Sequence, residues 1–345
     1  MWKYILQRIA LIFVTAFIIL SASFFLLKLL PSDFAGTNPQ VLSFYRKQVA
    51  LGYCYQVEDI IGTTAKHVVT ITSGSSSKNY YFNDFSIPHQ YGVWLYNIFT
   101  KWDWGTSTAV SIGSSAMSII STRLGVSMKL NILSMFFSLP IGFFLGITSA
   151  LKKNSVYDNV VQVLIMVCVS IPSFVLISFL ILLLSFYAKW LPSTWPSTME
   201  SAGTIAAGYV IPVMCLCFGT IAGFTRWIRA ELTEVMSSEF LLLARTKGLT
   251  KGQTVLRHAL RNSMVPIFPM IIGEFIGILS GSMILEQIYA IPGIGFLYVN
   301  ALNAKDYNVV MTDLAVVTMI SLAASLIVDL SYGFVDPRIR MGARK

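Results

Sequence analysis

The chain has 345 residues, of which 55% are hydrophobic and only 12% charged, about half the charged share of a soluble domain. That deficit, together with long uncharged apolar runs, sets aside a water-soluble enzyme and points to an integral membrane protein. The net charge of +9 does not indicate nucleic acid, because the lysines and arginines sit at the ends of the apolar runs rather than over a folded surface.

The first run places 19 uncharged residues between Arg8 and Lys28. Its basic start fits a signal peptide, but the run is long and LLKLLPSDF offers no small-x-small cleavage site, so a retained helix within 1–30 is expected. Residues 31–123 differ in kind. SGSSSKNYYFND is rich in Ser, Asn and Tyr, and VVTIT reads as a short strand. This is expected to be a small extracytoplasmic insert of mixed strand and loop with a flexible tip near Ser73 to Ser77. A lid or spacer and a contact for a delivering partner are both open readings of it.

Apolar runs then dominate 124–345. There are 22 uncharged residues between Lys129 and Lys152, 30 between Asp158 and Lys189, and 25 between Glu200 and Arg226. From Asn262 to Leu285 there is a single acid, Glu274, and a last run at roughly 310–335 carries Asp313 and Asp329 near its ends. A helix needs about 20 apolar residues to cross the hydrocarbon core. The expected fold is therefore an all-α polytopic membrane protein with six transmembrane helices, five of them forming a core over 124–345. With both termini in the cytoplasm, 15 of the 25 lysines and arginines lie inside, as the positive-inside rule asks. Seven of those fall in the 227–263 loop and the residue just before it. Asp329 is expected to pair with a basic tail or loop residue.

Little in the chain carries bond-making chemistry. Cys54 is the lone cysteine of the insert; Cys168, Cys215 and Cys217 lie in apolar spans, and the C-x-C spacing on a helix points the last two in different directions. His67, His89 and His258 form no ligand cluster. No P-loop, G-x-S-x-G or H-E-x-x-H is present, so neither a metal nor a nucleotide is expected on this chain.

ARTKGLTKGQTVLRHALRN, residues 244–262, holds six basic residues among 19 and no acid. Glu231 to Lys247 reads as a helix. Gly248 suits a left-handed C-cap, and Thr250 with Gln253 reads as a capping box opening a second helix. That second helix would carry Val255, Leu256, Ala259 and Leu260 on one side, with Pro266 and Pro269 opening the next span. A positive-inside loop would account for the charge but not for two helices bent about a glycine. Such a tip suits insertion into a groove on a cytoplasmic motor.

ARTKGL followed by RHALRN resembles the cytoplasmic loop of permease subunits of ABC importers, most closely the first-permease branch of the dipeptide/oligopeptide family. Where that family's loop begins Glu-Ala-Ala, this chain has Leu242, Leu243 and Ala244, and Leu260 is followed by Arg261; both departures resemble the peptide branch. WKYILQRI at the start, Asp103-Trp104-Gly105-Thr106-Ser107, EQIYAIPGIGFLYVNALNAKDY (286–307) and VDPRIR (335–340) resemble further family signatures in order and spacing. The resemblance implies a homologous second permease sharing a substrate cleft, an extracytoplasmic binding protein, and two cytoplasmic ATPase subunits, which hold the ATP and Mg²⁺ and receive the loop. Substrates in the family are short peptides, and in some branches nickel or other small solutes.

Under this reading the coupling loop comprises Ala244, Arg245, Lys247, Gly248, Leu249, Arg257 and His258. Ala244 would be small for close approach, and the basic residues would pair with carboxylates, be solvated or meet lipid phosphates. Glu274 would line the path or hydrogen-bond inside the bundle. Glu286, Pro292, Gly293 and Gly295 would shape an outer turn or gate. An ATP-independent secondary transporter or channel is the rival class; it needs repeats and several intramembrane ionisable groups, and one mid-span acid is seen.

Overall fold

A computed structural model of the chain describes residues 2–30, 38–57, 65–73, 76–277 and 281–335. The described residues fall into two compact units. One is built from Leu124–Phe296 with the two ends of the chain up to Ile12 and from Ile320; the other from Phe13–Arg123 and Leu297–Met319. The centre of the expected tip at Ser73–Ser77 lies outside the described residues, as does the Asp336-Pro337-Arg338 segment with the basic tail.

Thirteen helices and three strands are described: α1 Trp2–Leu29, α2 Asn38–Leu51, β1 Cys54–Val57, β2 His67–Ser73, β3 Ser76–Asp84, α3 Ile87–Lys101, α4 Ala116–Leu151, α5 Val156–Ser170, α6 Ser173–Leu180, α7 Ala202–Met236, α8 Glu239–Thr246, α9 Lys251–Thr254, α10 Leu260–Gly277, α11 Met283–Ile288, α12 Ile294–Asn303 and α13 Tyr307–Val335. Four are long and apolar enough to cross a membrane: Ile5–Leu29, Ala116–Leu151, Ala202–Met236 and Tyr307–Ser331. The 30-residue run after Asp158 is a broken pair. Val156–Ser170 and Ser173–Tyr187 are bent by 97°, and the second half widens into a π-helical stretch at Ile181–Tyr187. Pro172 causes the break, because its ring pushes Ile171 out of the helical region, to φ −84, ψ 117. The expected crossing at 262–285 is helical over Leu260–Gly277, and 278–280 are outside the described residues.

In the first unit α7 is the central element. Ile211, Val213, Cys215 and Cys217 pack with Leu130, Ile177, Leu180 and Tyr289. The two cysteines do diverge: Cys217 Sγ donates to Ser134 O at 3.2 Å and Cys215 Sγ to Ser173 O at 3.4 Å. On α4, Gly142 and Gly146 let α7 come close. A Cβ at Gly142 would lie 2.9 Å from Phe224 Cβ, and one at Gly146 2.8 Å from Ile228 Cβ. This is the small-xxx-small device of membrane helices. Asp158 of α5, its side chain 1% exposed, receives Arg229 of α7 in a two-pronged pair, Nε to Oδ1 and Nη2 to Oδ2, both 2.7 Å. Among the described residues Asp329 pairs with Arg8 of α1 at 3.1 Å. Arg8 lies about one turn into the Ile5–Leu29 span, and its side chain reaches Asp329 near the end of α13.

The second unit contains an antiparallel sheet of order β1-β3-β2. VVTIT falls in β2, in register with β3 from His67↔Phe82 to Ser73↔Ser76. The strands alternate as a half-buried sheet should. Val69 and Phe82 turn inward onto Leu42, Tyr45 and Val49 of α2, and Tyr45 stacks on Phe82 with centroids 5.0 Å apart. The insert is thus more helical than strand and loop: α2 and α3 flank the sheet. Tyr91, Trp94, Leu95 and Ile98 of α3 face Phe24, Trp104 and Met311, an i, i+3, i+4, i+7 stripe. Burial pushes the Cys54 thiol up to about 11, which suits an inert packing role.

Candidate functional site

Three constellations stand out, two of them built on residues singled out in the sequence. The first is the 227–263 loop. The helix expected over Glu231 to Lys247 is interrupted: α7 ends at Met236, Ser237 and Ser238 turn, and α8 starts at Glu239. Both serines back-bond to the end of α7, Ser237 Oγ to Glu234 O at 2.7 Å and Ser238 Oγ to Val235 O at 2.5 Å, the competition with the helix ladder expected of serine. Gly248 adopts φ +89 with open space around it, so backbone conformation and not crowding demands glycine there. Thr250 and Gln253 form the reciprocal cap: Thr250 N–H donates to Gln253 Oε1 at 3.1 Å, and Gln253 N–H to Thr250 Oγ1 at 3.3 Å.

The second limb does not stop before the next span. From Lys251 it passes through a π-helical turn at Val255–Ala259 directly into α10, so Pro266 and Pro269 lie inside a helix rather than opening one. Val255 and Ala259 turn inward as expected, but Leu256 is 69% exposed. One residue along a helix rotates the side chain about 100°, which carries it off the buried face. Ala244 is 8% exposed, turned into the fold of its own chain rather than towards solvent. Leu241, Leu232, Ala259 and Ala150 form the cluster that anchors the bend. What the loop presents outward is Phe240, Leu242, Leu243 and Leu256, with Lys247, Arg257, His258 and Arg261. The side chain of Arg245 is outside the described set. Leu249 closes the elbow, its N–H donating to Ala244 O at 3.4 Å.

The second constellation is the Glu286 turn, which ties together residues far apart in the chain. Glu286 is 2% exposed. Ser127 Oγ donates to Oε1 at 2.7 Å and Phe296 N–H to Oε2 at 3.0 Å. Ser127 Oγ also accepts Ile294 N–H at 2.9 Å. Gly293 sits against this carboxylate so closely that a Cβ would overlap both Glu286 and Ser127, and a Cβ on Gly295 would lie 2.8 Å from the Met283 backbone. Pro292 carries the chain into that approach. Tyr289, fully buried, donates its hydroxyl to Pro192 O at 2.8 Å. Glu274 lies apart from this knot: Thr220 Oγ1 donates to its Oε1 at 3.1 Å inside the helix bundle.

The third constellation was not singled out in the sequence. Asp306, fully buried, accepts on Oδ2 from Ser107 Oγ at 2.5 Å and from the N–H groups of Thr108, Ala109 and Val110 at 3.0, 2.9 and 3.1 Å. Three successive amides aimed at one oxygen make an anion nest. The signal available was the Asp103–Ser107 signature itself, whose Gly105 at φ +95 lets the loop fold back. None of the three arrangements pairs a nucleophile with a base.

A polytopic bundle with broken helices, small-residue packing and a capped basic elbow defines a membrane permease subunit. Residues 140–341 match the family model of the binding-protein-dependent transport system inner membrane component, more than half of the chain. The dipeptide transport system permease protein DppB of Lactococcus lactis is 31% identical over 99% of this chain and 100% of its own. The oligopeptide transport system permease protein OppB of Haemophilus influenzae gives the same identity and coverage. The MetNI methionine ABC transporter in an inward-facing conformation shares the fold at 16% identity, with a TM-score of 0.52 over 64% of this chain and 97% of that one. The chain therefore belongs to the family of binding-protein-dependent ABC importer permeases, the inner-membrane components of those transport systems.

Proposed function

We propose that this permease forms half of a translocation path for short peptides, with a homologous second permease as the other half and an extracytoplasmic binding protein delivering the substrate. Two cytoplasmic ATPase subunits carry the ATP and Mg²⁺ and supply the energy, and the chain itself performs no bond chemistry. It crosses the membrane six times with both termini in the cytoplasm, the fifth crossing being the one that contains α10. The 31–123 segment lies outside the cell, and the five-helix core occupies 124–345.

The observation that carries this reading is the elbow. It is anchored inward by Leu241 and Ala259, and it displays an apolar and basic outer surface about Gly248. Exposed leucines on a short helix beside fixed positive charge suit a groove with apolar walls and an acidic rim. Peptide as substrate rests on the full-length relatives being dipeptide and oligopeptide permeases. Glu274, held by Thr220, is a candidate for meeting the substrate's amino end.

Single cysteines at Leu243 and Leu256 test the coupling role. They are expected to crosslink to an ATPase subunit in membranes, whereas a cysteine at buried Ala259 is not. Uptake of labelled di- to hexapeptides, with nickel as the competing arm, tests the substrate. Nickel uptake without peptide uptake in cells restored with this subunit would replace the peptide assignment.

A further inference from the structure

We propose that a cavity at the end of α1 binds a phosphate oxyanion, supplied by a phospholipid headgroup. The cavity, about 90 Å³, lies wholly within the second unit, and Phe24, Lys28, Tyr53, Trp94, Asn97 and Trp104 are among its walls. Trp104 Nε1 among these side chains is a buried donor with no hydrogen-bond partner, on a residue 5% exposed. Native folds rarely leave such groups unserved. An indole N–H and an ammonium can only donate, so the ligand that completes this wall is rich in acceptors.

Lys28 Nζ stands 5.7 Å from the ring centroids of both Phe24 and Tyr53, which holds the ammonium over aromatic faces at the cavity. Asp103 is the acidic member of the wall, and one of its oxygens accepts Gly105 N–H at 2.9 Å. Lys28 and Asp103 balance each other, so the unserved donor selects the ligand, and an oxyanion of low charge adds the least imbalance. A phosphodiester is a monoanion at every physiological pH, whereas free phosphate carries up to two charges near neutrality. The volume is enough for a phosphate group.

The location selects the lipid source. Lys28 lies in the last turn of a membrane-spanning helix, Ile5–Leu29, at the depth where lysine and tryptophan meet headgroups. Trp102 stands exposed beside Trp104, their rings edge-to-face at 5.6 Å.

The test uses the full-length chain reconstituted in phosphatidylglycerol nanodiscs and released into a native mass spectrometer. Wild type retains a bound phospholipid. Trp104→Phe, which keeps the ring and removes the donor, and Lys28→Gln each lower the retained fraction at least ~10-fold, the loss of one charge-assisted or buried hydrogen bond. Trp102→Phe leaves retention unchanged. Equal retention in wild type and both variants overturns the site. A second arm titrates inorganic phosphate onto the chain in a phosphate-free maltoside detergent. Displacement of the retained lipid by millimolar phosphate overturns the lipid assignment, and failure to displace it supports it. If Trp104→Phe does not yield monodisperse protein, Lys28→Gln decides the matter alone.

Discussion

Removing the Arg229 guanidinium tests whether α5 is held to α7 by charge. Asp158 is almost completely enclosed, and both of its oxygens take a 2.7 Å bond from Arg229. Asn154 N–H supplies one further bond at 2.9 Å. Arg229→Met keeps the apolar stem and leaves a buried carboxylate with that single donor. Breaking a buried pair on one side costs about 3–5 kcal/mol; because Arg229 itself is 24% exposed, the lower end, about 3 kcal/mol, is expected. At about 2.1 cal/mol/K of unfolding entropy per residue, that is a fall of roughly 4 °C in the unfolding midpoint of a chain this size. Asp158→Asn combined with Arg229→Met removes both charges, so the double variant regains most of the loss. The assay is thermal unfolding of the purified chain in detergent, run as a double-mutant cycle. A midpoint within about 2 °C of wild type for Arg229→Met, or strictly additive effects in the cycle, refutes the assignment.

Gly248→Val places a β-branched residue at φ +89, a cost of about 1–2 kcal/mol; membrane insertion measured by fractionation should be normal while labelled-peptide uptake falls to background. Gly293→Ala drives a methyl into Glu286 and Ser127, a strain of about 1–3 kcal/mol, readable as a lower unfolding midpoint that Ser127→Gly partly restores. At the sheet, partial burial pushes the Asp84 carboxyl up, but hydrogen bonds and charge from His67 and Lys66 outweigh it and bring it down to about 2. Its folded value lies below the ordinary 3.8, so the stabilisation is complete above that pH and fades as pH falls towards about 2. With Lys66 exposed it amounts to about 1 kcal/mol. Hydrogen exchange of the β2–β3 amides should quicken across that window in wild type and show no such step in Asp84→Asn.

Local chemistry was the legible part of this chain. Thr250, Gln253 and Gly248 announced their geometry because a cap and a left-handed turn depend on neighbours within four residues. VVTIT likewise carried its own alternation. The stripe at Tyr91, Trp94, Leu95 and Ile98 was equally readable but lay in an insert whose polar part, SGSSSKNYYFND, argued for strand and loop. What stayed hidden depends on partners distant in sequence. Nothing around Glu286 names Ser127, and nothing near Asp306 names Thr108 to Val110. Ala244 shows the same limit: its small size is visible, but whether that smallness serves the chain's own interior or another surface is decided by Leu241 and the anchored bend. Leu256 was misplaced because its neighbours Val255 and Ala259 define the buried line, and one step along a helix is enough to leave it.

The bond from Ser107 to Asp306 spans 199 positions, and this sets a schedule for biosynthesis. At roughly 5–20 residues per second, the ribosome needs about 10–40 s after making the 107–110 segment before the carboxylate that fills it exists. Until then the three backbone amides lack the oxygen that they serve in the finished fold. Closing so large a ring costs little more entropy than closing a moderate one, about 0.6 kcal/mol per doubling, so the delay is one of supply rather than of search. A nascent chain that stalls before residue 306 lacks the carboxylate that fills the nest, and a finished one seals it with a single aspartate.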